Sequence, residues 1–314
     1  MNLQCLIEQY IALRQSMGEC YRNSAATLRA FGRVCGRRTK ITAVRKEQVS
    51  SFLMGKGALT ATWFRKYSAL LGFYRYAVSR GHVDVAPLPT LIPKRPPPFV
   101  PYIYSHEELR RLLHAAKSYQ GRCSFLEPMT IHSLVLLLYG TGLRVSEALN
   151  LDKADVDCDK ALITVRRTKF YKSRLVPIGP QVAQELIRYA ARPSARCRLS
   201  TKTPFFTTRY GEPVVKETFE HTFRRVCEQA GIRRSDGASY QPRLHDLRHT
   251  FAVHRLTSWY RQGANVQRLL PQLSVYLGHV HISATQVYLS MTPELLAEAN
   301  ARFEQYAGKE SDHV

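Results

Sequence analysis

A proline-rich segment sets the tightest limit on how this chain can fold. Residues 82–101 contain seven of the chain's 16 prolines. Because proline cannot continue a helix and is excluded from central strands, no long regular element can run through this segment. It favours extended backbone instead. We therefore interpret residues 86–101 as a semi-rigid, basic linker between two domains, residues 1–85 and 102–314.

The segment before the linker is predicted to form a small helical bundle. Apolar side chains recur at helical spacing in four stretches, near residues 3–13, 24–34, 45–54 and 60–79. An aromatic series in the fourth stretch has the spacing of a buried helix face, so we interpret most of it as core. The aromatic residues concerned are Trp63, Tyr67, Phe73 and Tyr74.

The charge of the chain points to a polyanionic partner. Lys and Arg number 46 against 24 Asp and Glu, which gives a formal net charge of +22. Such an excess favours nucleic acid, and the alternative is a ribosome-associated or simply basic protein. Residues 1–95 contain 16 of the basic but only four of the acidic residues, so this region is expected to touch phosphate widely. The DNA contacts predicted there are Arg37, Arg38, Arg65 and Lys66.

The segment after the linker is predicted to be mainly α-helical with one small antiparallel β-sheet. Two short β-type runs, residues 161–165 and 174–178, flank a polar and basic turn. Helical periodicity accounts for most of the rest, and a hydrophobic content of 45% is ample for a packed core. The predicted helices lie near residues 105–117, 131–139, 145–151, 180–191, 216–230, 245–261, 266–277, 283–289 and 293–306.

Cysteine usage and the first residues bear on where the protein works. The seven cysteines are odd in number and never spaced Cys-x-x-Cys, which argues against a disulfide framework and against a zinc site. Reduced thiols are typical of the cytosol, and the first residues lack a signal-peptide pattern. The most apolar stretch, residues 134–139, is too short to span a bilayer. We expect a cytoplasmic protein with no metal, no other cofactor and no membrane partner.

The last third of the chain contains the residue types that phosphodiester transesterification needs. The motif His245-Asp-Leu-Arg248 is followed by Leu-Gly-His279 and Tyr288, and Gly-Thr-Gly-Leu-Arg144 lies upstream. The reaction needs a nucleophile, positive charge on the two non-bridging oxygens and an acid for the departing sugar oxygen. Two arginine forks can close on one phosphate, and His245 shares a helix face with Arg248.

These motifs resemble those of the tyrosine recombinase (phage integrase) family, over residues 102–300. The resemblance implies a helical, SAM-like core-binding domain for residues 1–85 and a catalytic tyrosine recombinase domain for residues 102–314. The motifs that carry it are Gly140-Thr-Gly-Leu-Arg144-Val-Ser-Glu147, Lys169-Phe-Tyr-Lys-Ser-Arg-Leu-Val-Pro177, His245-Asp-Leu-Arg248-His, Leu277-Gly-His279 and Tyr288.

The resemblance also implies roles for the site residues. Arg144 and Arg248 would hold the scissile phosphate, while His245 and His279 would assist through hydrogen bonds and proton handling. Tyr288 would attack phosphorus and form a 3′-phosphotyrosyl link, whose stored bond energy makes ATP unnecessary. An unperturbed tyrosine has a pKa of about 10, so clustered cations are expected to favour the phenolate.

The turn between the two strands supplies the general acid in this resemblance. Lys169 is the expected acid for the 5′-oxygen, and Lys172 in the same turn is the alternative. The basic residues around it are expected to contact the DNA backbone. These residues are Arg166, Arg167, Lys172 and Arg174.

Each assignment has a simpler alternative. Arg144 could form a surface ion pair with Glu147, which could otherwise orient it. His249 is interpreted as packing or as support behind the site. Tyr276 and Tyr260 are the alternatives to the predicted nucleophile.

One departure from the family is the spacing of two motifs. Between Arg248 and His279 lie 30 residues, more than a compact member has. The extra length falls in residues 259–274 and includes Pro271. We expect it to lengthen a loop or kink a helix.

Three functions compete for this constellation. A site-specific recombinase acts as a tetramer on paired DNA sites and exchanges strands through a Holliday junction. A type IB topoisomerase-like enzyme uses similar chemistry as a monomer, and a catalytically dead DNA-binding module uses none. The His-x-x-Arg and Leu-Gly-His motifs favour the recombinase, and every expected catalytic position is filled.

The biological role stays open among integration, excision, resolution and transposition. High basic charge and the extra length before His279 favour a mobile-element enzyme. The amphipathic segment 293–306 is expected to pack on a neighbouring copy in the synaptic tetramer. The target sequence cannot be read from the chain, and an accessory recombinase or DNA-bending protein is an open further partner.

Overall fold

The computed structural model describes residues 1–55, 59–96, 99–121, 124–166, 173–192, 203–238 and 240–311. Contacts divide the chain into two compact units, Met1–Phe99 and Val100–Val314. The described residues are mostly helical with one small antiparallel sheet, which confirms the predicted fold class. The finer boundaries of the predicted linker, residues 86–101, stay a prediction.

The N-terminal unit contains four helices around one apolar core. Side chains cap two of them: Asn2 accepts the backbone N–H of Gln4 at 2.8 Å, and Thr60 accepts that of Thr62. The second helix begins at Arg22, two residues before the predicted stretch 24–34, because Tyr21 takes a left-handed conformation there. The helices are α1 (Leu3–Ser16), α2 (Arg22–Cys35), α3 (Lys46–Met54) and α4 (Ala61–Ser79).

The C-terminal unit, Val100–Val314, is named the catalytic unit after the predicted catalytic domain. Its described residues form nine α-helices and three strands. The antiparallel sheet has the order β1-β2-β3, and Ile163 pairs with Val176 in it. Strand β1 was not predicted, because its two residues are too few to show an alternation of apolar and polar side chains. The elements are α5 (His106–Ser118), α6 (Pro128–Thr141), α7 (Val145–Leu149), β1 (Val156–Asp157), β2 (Leu162–Val165), β3 (Arg174–Pro177), α8 (Pro180–Ala190), α9 (Lys216–Gln229), α10 (Leu244–Arg261), α11 (Val266–Leu277), α12 (Ser283–Gln286) and α13 (Pro293–Ser311).

Helix α6 forms the centre of the catalytic unit. Nine of its 14 residues are buried, and α5, α8 and α10 pack around it. A helix that is apolar on almost every side must be enclosed, which explains the uninterrupted run of Leu and Val. The extra residues, 259–274, form the end of α10, the turn after it and most of α11, with Pro271 inside the latter helix.

The last helix packs on the chain's own α10. Leu295 of α13 is fully buried, and Arg261 Nε of α10 donates to Glu298 Oε1 at 2.7 Å. The sequence analysis expected this segment on a neighbouring copy. In the single chain, α13 covers the apolar side of α10 and the Tyr288 turn. Packing of this segment on a neighbouring copy stays a prediction.

Candidate active site

Helix α10 carries the most deeply buried arginine of the site. Its first turn is capped by Asp246, whose carboxylate accepts the backbone N–H of Arg243 at 2.9 Å. Arg248 is only 2% exposed, and its Nη1 and Nη2 donate to the carbonyls of Gly142 and Leu277, both at 2.7 Å. Burial lowers the pKa of Arg248 to about 10, which leaves it charged at neutral pH. A guanidinium has five N–H groups, so donors are left for phosphate.

Arg144 follows the turn that ends α6. Gly142 in that turn has φ +62°, and a Cβ there would come within 2.5 Å of Phe251, so the turn requires glycine. Arg144 Nη1 donates to Glu147 Oε1 at 2.8 Å, and its Nη2 donates to the Gly278 carbonyl at 3.0 Å. Its side chain is 33% exposed, which makes it accessible to a bound anion.

Glu147 is the negative charge between two arginines. Its buried carboxylate accepts Arg144 on one side and a bidentate pair of bonds from Arg174 on the other, at 3.0 and 2.8 Å. Burial alone would raise the pKa of Glu147, but the hydrogen bonds from Arg174 and from the Arg144 backbone outweigh it and lower the pKa to about 2. The ion pair considered in the sequence analysis is therefore present, and it orients Arg144.

Three arginines meet at the carboxyl end of α11. The carbonyls of its last two residues, Tyr276 and Leu277, and of the capping residue Gly278 each accept a different guanidinium. Helix carbonyls at this end lack internal partners and carry partial negative charge, so they stabilise cations placed there. The donors are Arg174 to Tyr276 at 3.0 Å, Arg248 to Leu277 at 2.7 Å and Arg144 to Gly278 at 3.0 Å.

Two histidine rings, His249 and His279, lie near the ring of Tyr288, and a third, His245, contacts His249. His279 lies 6.1 Å from that ring and shares a 2.7 Å hydrogen bond between its Nδ1 and Thr285 Oγ1. His249 lies 5.5 Å from it, and the ring of His245 lies 4.9 Å from that of His249. Burial, followed by the charge of the nearby arginine on α10, lowers the pKa of both His249 and His279 to about 4. Both rings are therefore neutral at neutral pH.

His249, interpreted from the sequence as packing or as support behind the site, lies between His245 and Tyr288. Its Nδ1 is buried and has no hydrogen-bond partner among the described residues. An unsatisfied buried nitrogen costs about 1–3 kcal/mol. The interpretation as packing stands on the ring contacts with His245 and Tyr288.

Tyr288 lies on a 3-10 turn, Val287–Ser290, and is only 3% exposed. Burial raises its pKa above the usual value, and Arg248 and Arg144 offset that rise only in part. The cations thus act in the expected direction, but burial outweighs them in this arrangement. The alternative nucleophile, Tyr276, donates its hydroxyl to the Pro177 carbonyl at 3.0 Å, which is a structural contact.

The remaining predicted contacts fall in different places. Lys169, Lys172 and Arg167 lie outside the described residues. Arg166 is largely exposed and pairs with Asp155. In the N-terminal unit, three of the four predicted contacts are exposed, and the fourth is half-buried and donates to the Phe52 carbonyl at 2.6 Å. The exposed ones are Arg37, Arg38 and Arg65, and the half-buried one is Lys66.

A cavity opens beside Arg144, the residue that precedes α7. Its volume is about 460 Å³, and basic side chains dominate the polar part of its lining. Such a lining suits an anion. The lining includes five charged residues and one histidine, namely Arg144, Lys216, Glu220, Arg224, Arg243 and His245.

Among the described residues, no group of three or more His, Cys, Asp or Glu could hold a metal ion. No helix in the same ranges is long and apolar enough to cross a membrane.

Comparison with known proteins identifies the family. The model of the phage integrase family matches residues 103–294. The integrase/recombinase y4rB of Sinorhizobium fredii is 36% identical over 303 residues, which cover 95% of this chain and 96% of that protein. Tyrosine recombinase XerA of Thermococcus kodakarensis is 32% identical over 212 residues, 68% of this chain and 66% of that protein. The chain belongs to the phage integrase family of tyrosine recombinases.

Solved structures share the fold at low sequence identity. The Tn1549 transposon integrase in complex with transposon right end DNA has a TM-score of 0.69 and 18% identity, covering 98% of this chain and 100% of that one. A lambda integrase dimer bound to a COC′ core site has a TM-score of 0.63 and 16% identity, covering 90% and 97%. The family and the predicted enzyme class, a site-specific recombinase acting on DNA, are thus confirmed.

Proposed function

We propose that Tyr288 is the nucleophile of this recombinase and that Arg144 and Arg248 hold the scissile phosphate. The observation that carries this proposal is the pair of arginine side chains fixed at the carboxyl end of α11, beside the buried phenol of Tyr288. Donors held in place before the reaction stabilise developing charge without reorganisation. This arrangement supports phosphoryl transfer to a tyrosine.

The proposed reaction is a reversible transesterification. The Tyr288 oxygen forms a bond to phosphorus, and the bond from phosphorus to the 5′-oxygen breaks. The phenolic proton passes to a neutral base, for which His245 and His279 are the candidates, and the 5′-oxygen receives a proton from an acid. We propose Lys169 as that acid, with Lys172 as the alternative. The 3′-phosphotyrosyl ester keeps the bond energy, so a 5′-hydroxyl can reverse the step.

Burial of Tyr288 implies that cleavage is coupled to a rearrangement. A phenol that is 3% exposed cannot reach a phosphate on a DNA duplex without a shift of its turn. The turn belongs to a short 3-10 segment between α12 and α13, and short 3-10 segments are often hinges. We propose that this turn moves when DNA occupies the arginine pair.

We further propose that the protein recombines the DNA of a mobile element and assembles on it as a tetramer. The structural neighbour from Tn1549 is a transposon integrase bound to a transposon end, and lambda integrase is described as a tetramer on a Holliday junction. Basic residues of both units, all exposed except the half-buried Lys66, would bind the phosphate backbone. They are Arg37, Arg38, Arg65, Lys66 and Arg166, with Arg167 and Lys172 as further candidates.

A plasmid assay separates the recombinase from a topoisomerase-like enzyme. The substrate is a supercoiled plasmid with two copies of the DNA that flanks the gene, and the matched control plasmid has neither copy. A recombinase should give deletion or inversion products and Holliday junctions on the first plasmid only. Relaxation of both plasmids without recombinant products would point to a topoisomerase-like enzyme instead.

A further inference from the structure

We propose that Arg174 is a positioning residue for the catalytic phosphate site and makes no contact with DNA. It sits at the first residue of β3, and it acts on Arg144 through Glu147 and through the end of α11. This inference rests on the proposed role of Arg144 in holding the scissile phosphate. It replaces our sequence-based prediction that Arg174 contacts the DNA backbone.

The first support is the way in which Arg174 is held. Each of its three guanidinium nitrogens donates a hydrogen bond inside the protein: Nε to the Tyr276 carbonyl, and Nη1 and Nη2 to the two oxygens of Glu147. Its side chain is 12% exposed. Arg166, in contrast, keeps 60% of its side chain exposed at the end of the neighbouring strand. A DNA phosphate would have to displace a buried bidentate ion pair to reach Arg174.

The second support is the sharing of one carboxylate by two arginines. Glu147 gives one oxygen to Arg144 Nη1 and both oxygens to Arg174. Without Arg174, both carboxylate oxygens of Glu147 would be free to accept hydrogen bonds from the Arg144 guanidinium. This bidentate geometry is the preferred one for arginine–carboxylate pairs. That closure would occupy the donors of Arg144 that a phosphate needs. Arg174 thus keeps Arg144 fixed but only partly engaged.

The third support is the close fit at Gly278. A Cβ on this residue would lie 2.7 Å from Arg174 Nη1 and 2.9 Å from its Cζ, so the guanidinium packs against bare backbone. Gly278 also has φ +69°, and its carbonyl oxygen accepts the hydrogen bond from Arg144 Nη2. The same glycine therefore admits Arg174 and fixes Arg144.

The test compares Arg174→Met and Arg174→Lys with wild type and with Arg192→Met. Arg192 is a matched control, because its side chain is also 12% exposed and forms a 2.8 Å ion pair with Glu127, away from the site. Two quantities are measured on nicked suicide duplexes from the DNA flanking the gene. They are the rate of covalent-complex formation at saturating DNA and the salt dependence of equilibrium binding.

We expect Arg174→Met to lower the cleavage rate about 10- to 100-fold, as small misplacements of catalytic groups do. The slope of log affinity against log salt should not change, and Arg174→Lys should restore part of the rate. Arg192→Met should melt at a lower temperature but cleave at the wild-type rate. The pH profile adds a readout that a merely structural role would not move. Loss of Arg174 raises the pKa of Glu147. As pH is lowered, cleavage by the Met variant should therefore begin to fall at a higher pH than cleavage by wild type.

Two results would overturn the proposal. One is cleavage by folded Arg174→Met at the wild-type rate. The other is a decrease of about 0.9 in the slope of log affinity against log salt for this variant, the signature of one lost phosphate contact. If Arg174→Met does not fold, the same criteria apply to Arg174→Lys, which keeps the charge but loses the fork. Failure of wild type and Arg192→Met to form any covalent complex would contradict the proposed function instead.

Discussion

The two units of the chain hold their positive charge in different ways. In the N-terminal unit, Arg37 and Arg38 are exposed, and Arg65 has only a local bond to Thr62. In the catalytic unit, Arg248 is buried and fixed by two backbone carbonyls. An exposed arginine can meet phosphate from many directions, whereas a buried one is oriented in advance. The number of basic residues therefore reports on binding, and the way in which each is held reports on catalysis.

The largest effect should come from the buried arginine. Arg248→Lys keeps the charge but cannot serve two carbonyls and a phosphate, so cleavage at saturating DNA should fall roughly 10²- to 10³-fold. Equilibrium binding to the duplex should change far less, because Arg248 is one of many cations. The matched control is Arg255→Lys, at an exposed position of the same helix. Comparable cleavage by the two variants would contradict the distinction.

A smaller effect on the cleavage rate is expected from substitution of Gly278. Comparison with a second glycine separates the effect of backbone strain from that of the contact with Arg174. Gly278→Ala meets the left-handed penalty of about 1–2 kcal/mol and also displaces the Arg174 guanidinium. Gly263→Ala has the same penalty at φ +67°, but nothing lies within 4 Å of the added Cβ. Both variants should lose similar stability in chemical denaturation, and only Gly278→Ala should also lose about tenfold or more in cleavage rate. Equal cleavage would mean that the close fit is unimportant.

Two half-buried histidines, His249 and His279, should make stability depend on pH. The pKa of His249 and of His279 is about 4 in the fold, against about 6.5 in an unfolded chain. Between those values the unfolded chain binds more protons, so the free energy of unfolding should fall as pH drops from about 6.5 to 4. His249→Phe should flatten this dependence in urea titrations, whereas His221→Phe, at an exposed site on α9, should not. An unchanged slope in His249→Phe would show that its ring is not neutralised by burial.

The smallest effect on cleavage should come from the exposed arginines. The double variant Arg37→Gln/Arg38→Gln should weaken DNA binding and lower the salt slope by about two, one for each lost phosphate contact. Its cleavage rate at saturating DNA should fall far less than that of Arg248→Lys. Filter binding over a range of salt concentrations measures the slope. No change in slope would remove these residues from the DNA surface.

Local sequence patterns predicted most elements to within a few residues. Ser105 and Glu108 form the expected capping pair of α5, since this geometry needs only neighbours along the chain. The start of α2 was missed, because Tyr21 takes a left-handed conformation that no local motif signals. The division of α12 from the following 3-10 turn was missed as well, because both have helical spacing.

The arrangement of the site was predictable only in part. The motifs around Arg144, Arg248 and Tyr288 pointed to one phosphate site, and these side chains do lie together. What the sequence could not reveal is the set of backbone carbonyls that hold the arginines, since carbonyls leave no trace in residue identity. The sequence likewise contained no sign that the Arg174 guanidinium is held inside the protein. Its partners, Glu147 and Tyr276, lie far from it along the chain.

The most direct measurement is covalent trapping on a nicked suicide duplex in EDTA. It compares wild type with Tyr288→Phe and with Tyr276→Phe, which removes the hydroxyl bound to Pro177. We predict a covalent complex with wild type and with Tyr276→Phe, none with Tyr288→Phe, and a DNA-linked peptide that contains Tyr288. A complex that persists in Tyr288→Phe, or that disappears for wild type in EDTA, would contradict the account.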